Sequence, residues 1–219
     1  MTRIRNVFKT ALTLAWLIAL AAASSAGLVG SAMAQSAIAA LLAQPVSLPD
    51  MAIGDAKAPV TIFEFASMSC PHCAAFDQNV FPILRSKYID TGKVRYVFRE
   101  FPLDIKAASA SVLARCIAKG DPEKFFAVID KMFKLQEPLM DHTKETMLVI
   151  GKEGGLDEQA VESCVGDQAV MDKISADETF AAQQLKVKAT PTFFINGKIV
   201  EGSMSFEEFE AKLKPLLKK

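Results

Sequence analysis

The clearest chemistry in this chain lies in Cys70-Pro71-His72-Cys73. A CxxC spacing brings two sulfurs near enough to close a small, reversible disulfide, or to supply half of a metal's ligand set. Zinc would need a second ligand pair, and none is spaced for it in this sequence, so redox chemistry is the expectation and no metal site is assigned. The motif follows the apolar run Val60-Thr61-Ile62-Phe63-Glu64-Phe65 and precedes Ala74-Ala75-Phe76-Asp77-Gln78-Asn79-Val80, which reads as helix. Both cysteines therefore sit where a strand hands over to a helix. Unpaired N–H groups and the positive end of the helix dipole favour a thiolate there. Cys70 is the more N-terminal and receives most of that field, so it is the expected nucleophile. Cys73, one turn on, is the expected buried partner.

Two further side chains belong with the pair. His72 lies between the thiols, where its charged or donor form would add to thiolate stability. Glu64 is a carboxylate inside an apolar strand, and buried acids are rare unless paired or used. The competing reading for Glu64 is a strand-end residue reaching water. His142, in the polar stretch Met140-Asp141-His142-Thr143, reads as an exposed residue at a helix entry.

The elements that must position these groups follow from periodicity. Met51-Ala52-Ile53-Gly54 reads as a short edge strand, and Val60 to Phe65 as a central strand buried on both faces. One helix is expected from Cys70 to about Tyr88, kinked at Pro82, with Phe76, Val80, Ile83 and Leu84 as its apolar stripe. Val94 to Phe101 alternates as a strand, so the first unit is βαβ with CxxC at the crossover. From Asp104 to Lys186 the pattern is helical, with five helices expected; Asp121-Pro122, Thr143 and Asp157 mark starts and Gly154-Gly155 a stop. Strand texture returns in Thr192-Phe193-Phe194-Ile195 and Lys198-Ile199-Val200, joined by Asn196-Gly197 as a type I′ hairpin. Ser205-Phe206-Glu207-Glu208 is a capping box for a last helix.

The N-terminus bears on location. Arg3, Arg5 and Lys9 precede a span, Thr10 to Pro49, that holds no charged residue, and Ala32-Met33-Ala34 follows the apolar stretch Ala11 to Ala23. That pattern predicts a signal peptide over 1–34, with an uncleaved anchor as the alternative; either places the rest outside the cytoplasm. Residues 35–50 read as a tether that carries a short helix over Ser36 to Ala43. The whole chain balances 25 Lys and Arg against 25 Asp and Glu, and no basic stripe interleaves with aromatics, so nucleic acid is not an expected partner. The remaining cysteines, Cys116 and Cys164, give an even count in an exported protein. A structural disulfide, two buried thiols and a second relay pair are all open for them; an oxidising compartment favours the first.

The stretch Glu64-Phe65-Ala66-Ser67-Met68-Ser69-Cys70-Pro71-His72-Cys73, together with Thr190-Pro191-Thr192-Phe193-Phe194-Ile195-Asn196-Gly197, resembles the DsbA-type thiol:disulfide oxidoreductases of the thioredoxin-fold family. The likeness covers Met51 to the C-terminus. It implies a thioredoxin fold, an α/β class with a central mixed sheet flanked by helices, over 51–103 and 187–219. An all-helical domain is inserted at 104–186. It also implies an exposed Cys70, Glu64 beneath the cysteines moving protons to and from Cys73, and a cis Pro191 facing the CxxC. The carbonyl and N–H of Thr190 would then pair with an extended substrate.

What the resemblance implies for function is a periplasmic oxidase. It would put disulfides into exported proteins that carry cysteine pairs, would work as a monomer without a bound cofactor, and would be reoxidised by a DsbB-like membrane protein that passes electrons to quinone. The nearest alternative is an isomerase or reductase of the same fold, which Thr190 before the proline brings forward. An alternative of another class is a metal-binding or chaperone module using the CxxC.

Overall fold

The computed structural model describes residues 35–44 and 46–218. The expected leader, 1–34, lies outside them. Among the described residues no helix is long and apolar enough to cross a membrane.

Five strands form one mixed sheet in the order β1-β3-β2-β4-β5. They are β1 (Met51–Ile53), β2 (Val60–Ala66), β3 (Val94–Glu100), β4 (Thr192–Ile195) and β5 (Lys198–Glu201). β2 runs parallel to β3, with Glu64 opposite Phe98, and antiparallel to β4, with Glu64 opposite Phe193. The expected central and edge strands are thus found in place: β2 is the middle of the sheet and β1 its edge. At the β4–β5 turn Asn196 and Gly197 have φ of 46° and 80°, the positive pair that a type I′ hairpin requires.

Strand alternation divides the core between the two faces. Ile62, Tyr96, Phe98, Phe193 and Ile195 point to one face. That face is covered by α2 (Pro71–Asn79), α10 (Phe206–Leu213) and most of the helices inserted between β3 and β4. Phe76 of α2 lies 4.6 Å from Phe193 and 5.5 Å from Phe209, ring centroid to centroid, an aromatic knot that fixes the redox helix on the sheet. Phe65 and Phe194 point the other way, against Leu42 and Ala181.

The inserted layer holds six helices where periodicity predicts five: α4 (Ile105–Ala118), α5 (Pro122–Lys134), α6 (Gln136–Asp141), α7 (Thr143–Glu153), α8 (Glu158–Val165) and α9 (Gln168–Gln183). The additional one is α6, six residues long and too short to show a period. Asp121 and Asp157 cap α5 and α8 as expected. Thr143 instead opens α7 as its first residue, behind His142. The capping box at Ser205 and Glu208 is present.

Two expectations are corrected. The helix after Cys70 reaches Ile89, as far as expected, but in three pieces rather than one kinked rod: α2 stops at Asn79, the short α3 (Phe81–Leu84) follows, and a π-turn, Arg85–Ile89, finishes it. Val80 keeps helical backbone and accepts from the Leu84 N–H at 3.0 Å, so the interruption is local to Pro82, which has no N–H to donate to the turn before it. Ile83 falls outside the buried stripe, at 38% exposed. Residues 35–50, read as a tether, pack on the sheet. The short helix expected within them is present over residues 35–42 (α1), and its Leu42 is buried against Phe65 and Phe194. The Arg99 guanidinium, buried over the Phe63 ring, donates to both Asp50 carboxylate oxygens and to the Leu42 carbonyl.

Candidate active site

The site is built where β2 ends. Ser67 to Cys70 form a turn closed by Cys70 N–H donating to the Ser67 carbonyl (3.1 Å), and Cys70 is the N-cap residue of α2 with extended backbone. Across from it, the Thr190–Pro191 peptide is cis, and the Cys70 thiol donates to the Thr190 carbonyl at 3.2 Å. Strand β2, helix α2 and the segment entering β4 thus converge on one sulfur.

Both cysteines are thiols in this structure. The expectation of an exposed Cys70 is corrected: Cys70 is 4% exposed and Cys73 1%. The contact with Thr190 covers the first sulfur, and the packing of α2 on the core covers the second. Their acidities nevertheless separate. The Cys70 thiol is pulled down from 9.0 to about 5, mainly because the Cys73 thiol donates to it. Burial opposes the shift; the Thr190 side chain and the N–H groups of Cys73 and His72 reinforce it. Burial, with Cys70 and Glu64 nearby, pushes Cys73 far in the other direction. One cysteine is therefore disposed to be a thiolate at neutral pH and the other a thiol.

Glu64 points to the α2 face and is 5% exposed, so it does not reach water at a strand end. The Tyr96 hydroxyl donates to its Oε2 at 2.6 Å. Burial pushes the Glu64 carboxyl up to about 8; Tyr96 pulls against this, and Asp77 and Cys70 add to it. His72 is exposed, and its contribution to Cys70 here comes through its backbone N–H. Pro71 is exposed at the first position of α2.

Three residues of the site are absent from the sequence expectations. Tyr96 is the donor to Glu64, and strand alternation beside Glu64 was the available signal. Asp77 is a buried acid on α2, pushed up to about 7 by burial and then by Asp130, with Oδ2 lacking a hydrogen-bond partner among the described residues. Its position, i+4 from Cys73, puts it on the inward face. Gln136 of α6 donates to the Met68 and Cys70 carbonyls, and nothing in its neighbourhood announces it. Cys116 and Cys164 are joined by a disulfide with Cα atoms 5.9 Å apart, linking the ends of α4 and α8 within the inserted layer and away from the CxxC turn.

Comparison with known proteins agrees with this arrangement. The family described as Thioredoxin matches residues 47–215. The probable disulfide bond formation protein D of Bacillus cereus is 30% identical over 172 residues, covering 76% of this chain and 78% of that protein. Wolbachia pipientis alpha-DsbA1 superposes with a TM-score of 0.69 at 32% identity, over 80% of this chain and 94% of that one. BdbD from Bacillus subtilis, at 22% identity and a TM-score of 0.66, shares the fold. A Rickettsia bellii relative is 35% identical over 150 residues but longer, and this chain spans 57% of its length. The chain belongs to the thioredoxin family and, within it, to the DsbA-like proteins.

Proposed function

We propose that this protein introduces disulfides into exported proteins through Cys70 and Cys73. The observation that carries the proposal is the placement of Cys70 at the start of α2 with its sulfur 3.2 Å from the Thr190 carbonyl beside cis Pro191 and Cys73 buried one turn on, an arrangement that sets the two acidities apart. A stabilised Cys70 thiolate favours the reduced enzyme and so makes its disulfide a stronger oxidant.

The steps balance as follows. A substrate thiolate attacks Cys70 Sγ of the Cys70–Cys73 disulfide, the S–S bond breaks, and Cys73 leaves with the electron pair. The Cys73 thiolate is buried and takes a proton, which Glu64, protonated at neutral pH, is suited to supply. The substrate's second thiolate then attacks its own sulfur in the mixed disulfide. Cys70 departs as a thiolate held by the donors around it. The substrate is oxidised by two electrons and the enzyme reduced by two. Thr190 and cis Pro191 hold the incoming chain as an added strand beside the sulfur. His72 and Pro71 form the exposed lip of the motif, and the Cys116–Cys164 bond is structural. The redox domain comprises 51–103 and 187–219, and 104–186 forms the insertion.

The basic and apolar pattern over 1–34 supports a signal peptide and a periplasmic site of action. A membrane quinone oxidoreductase of the DsbB type is the matching reoxidant.

The test is oxidation of a dithiol peptide by the wild type, Cys70→Ser and Cys73→Ser. Activity is expected only in the wild type, because neither variant can form the Cys70–Cys73 disulfide that accepts the substrate's electrons; a fully active Cys70→Ser protein would defeat the proposal. Efficient refolding of a scrambled multi-disulfide substrate, with poor dithiol oxidation, would instead establish an isomerase.

A further inference from the structure

The turn that carries the nucleophile is held from outside its own domain. Gln136 opens α6 in the inserted layer, and its Nε2 donates to the Met68 carbonyl at 2.8 Å and the Cys70 carbonyl at 3.0 Å. A primary amide has two N–H groups, so one serves each carbonyl. The Cys70 carbonyl also accepts from the N–H groups of Cys73 (3.1 Å) and Ala74 (3.2 Å). Gln136 is half-buried, and its helix is anchored: Leu139 is fully buried, and the Thr146 hydroxyl donates to the Pro138 carbonyl at 2.9 Å.

We infer that Gln136 is the positioning residue of the redox turn, through which the helical insertion sets how firmly Cys70 holds its thiolate. The inference rests on the reading of Cys70 as the exchanging sulfur. Carbonyl oxygens carry partial negative charge, and those of Met68 and Cys70 flank the residue whose sulfur must become negative. The Gln136 N–H groups offset that charge and fix both peptide planes. Fixing the Cys70 carbonyl also fixes the direction in which the first N–H groups of α2 point, and these include the His72 and Cys73 donors to the sulfur. Without the amide the Met68 carbonyl must find another donor or rotate, and the Cys70 carbonyl is left with its two α2 donors alone; either change loosens the turn and weakens the support of the thiolate.

The experiment uses the full chain with Gln136→Leu and Gln136→Glu. An ionised glutamate has nearly the same shape but cannot donate, so it separates hydrogen bonding from packing and still reads out if the leucine variant fails to fold. The readouts are thiolate absorbance against pH and the equilibrium with a glutathione redox buffer. Both variants should weaken the Cys70 thiolate and shift the equilibrium toward the enzyme disulfide by roughly three- to tenfold, the worth of a lost hydrogen bond. Gln78→Leu is the control. It removes a second tie between α2 and the insertion, Gln78 to the Phe133 carbonyl at 3.2 Å, without touching the turn, and should leave both readouts at wild-type values. Wild-type behaviour of Gln136→Glu, or an equal shift in Gln78→Leu, overturns the inference while the dithiol-oxidation result for Cys70→Ser still stands for the function. A wild-type Cys70 that titrates as a free thiol overturns both.

Discussion

Tyr96 donates its hydroxyl to Glu64 Oε2 at 2.6 Å, across two adjacent strands of the sheet and beneath the redox turn. The partner of this buried acid is a neutral donor rather than a cation. Burial consequently wins, and the carboxyl holds its proton up to about 8 instead of 4.5. The proton is available on the same sheet face against which Cys73 packs.

A pH dependence of stability that is steeper in the oxidised form than in the reduced one follows. Glu64 at about 8 and Asp77 at about 7 bind protons more tightly folded than unfolded, where they return to 4.5 and 3.8. Their contribution to stability is complete below those unfolded values and is lost as pH rises through 7 to 8. Cys70, at about 5 against 9.0, does the reverse: its contribution is complete above 9 and lost as pH falls through 5. Denaturant unfolding at about pH 5 and about pH 9 should show the oxidised protein, which has no Cys70 thiol, losing about 2–4 kcal/mol on going to high pH, and the reduced protein losing less. Glu64→Gln should flatten the oxidised profile. Parallel profiles for the two forms would contradict these assignments.

Thiolate absorbance provides a direct check. Reduced wild-type protein should show a single ionisation with a midpoint near about 5. Cys70→Ser should abolish that step, leaving only the weakly acidic Cys73, which stays protonated across the neutral range.

Removing the second disulfide should affect stability and spare the exchange chemistry. Cys116→Ala with Cys164→Ala reopens a loop with a sequence separation of 48. The chain-entropy model values such a loop at roughly 4 kcal/mol, and a domain of this size should melt about 10 °C lower. Thermal unfolding measures the loss, and dithiol-peptide oxidation should stay close to wild type.

Asp50→Ala should be costly for a reason unrelated to the redox turn. It strands the Arg99 guanidinium, 7% exposed and already carrying an Nη1 with no partner among the described residues. Breaking one side of a buried pair costs about 3 kcal/mol, and the double variant Asp50→Leu, Arg99→Met should recover much of it. Limited proteolysis should find cleavage in 35–50 faster in Asp50→Ala than in wild type.

Much of this architecture is readable from local pattern. The period-2 alternation of Val94 to Phe101, the Asn196-Gly197 turn and the Ser205 capping box each state their own geometry, because the physics that decides them acts over a few residues. CxxC after an apolar run locates the redox turn for the same reason. What escaped is long-range. Gln136 meets Cys70 across 66 positions, and nothing near a glutamine in a six-residue helix reveals which carbonyls it will find. Residues 35–50 look like a linker because the stretch is rich in Ala and Leu and punctuated by Pro45 and Pro49, yet Asp50 and Leu42 are held by Arg99 on β3. The burial of Cys70 escaped for a related reason, since the group that covers it lies 120 positions away.

That separation between Cys70 and Thr190 has a consequence for biosynthesis. A chain made from its N-terminus presents the CxxC long before Gln136, and longer still before β4. Until those arrive, α2 has neither Phe193 nor Phe209 to pack on, so the Cys73 and His72 donors that acidify Cys70 are not yet fixed around it and it behaves as an ordinary thiol, largely protonated at neutral pH. A half-made molecule is thus a poor partner for thiol exchange, with itself or with its neighbours. Reactivity appears when the last segments dock, so the completed fold acts as the molecule's own safety catch.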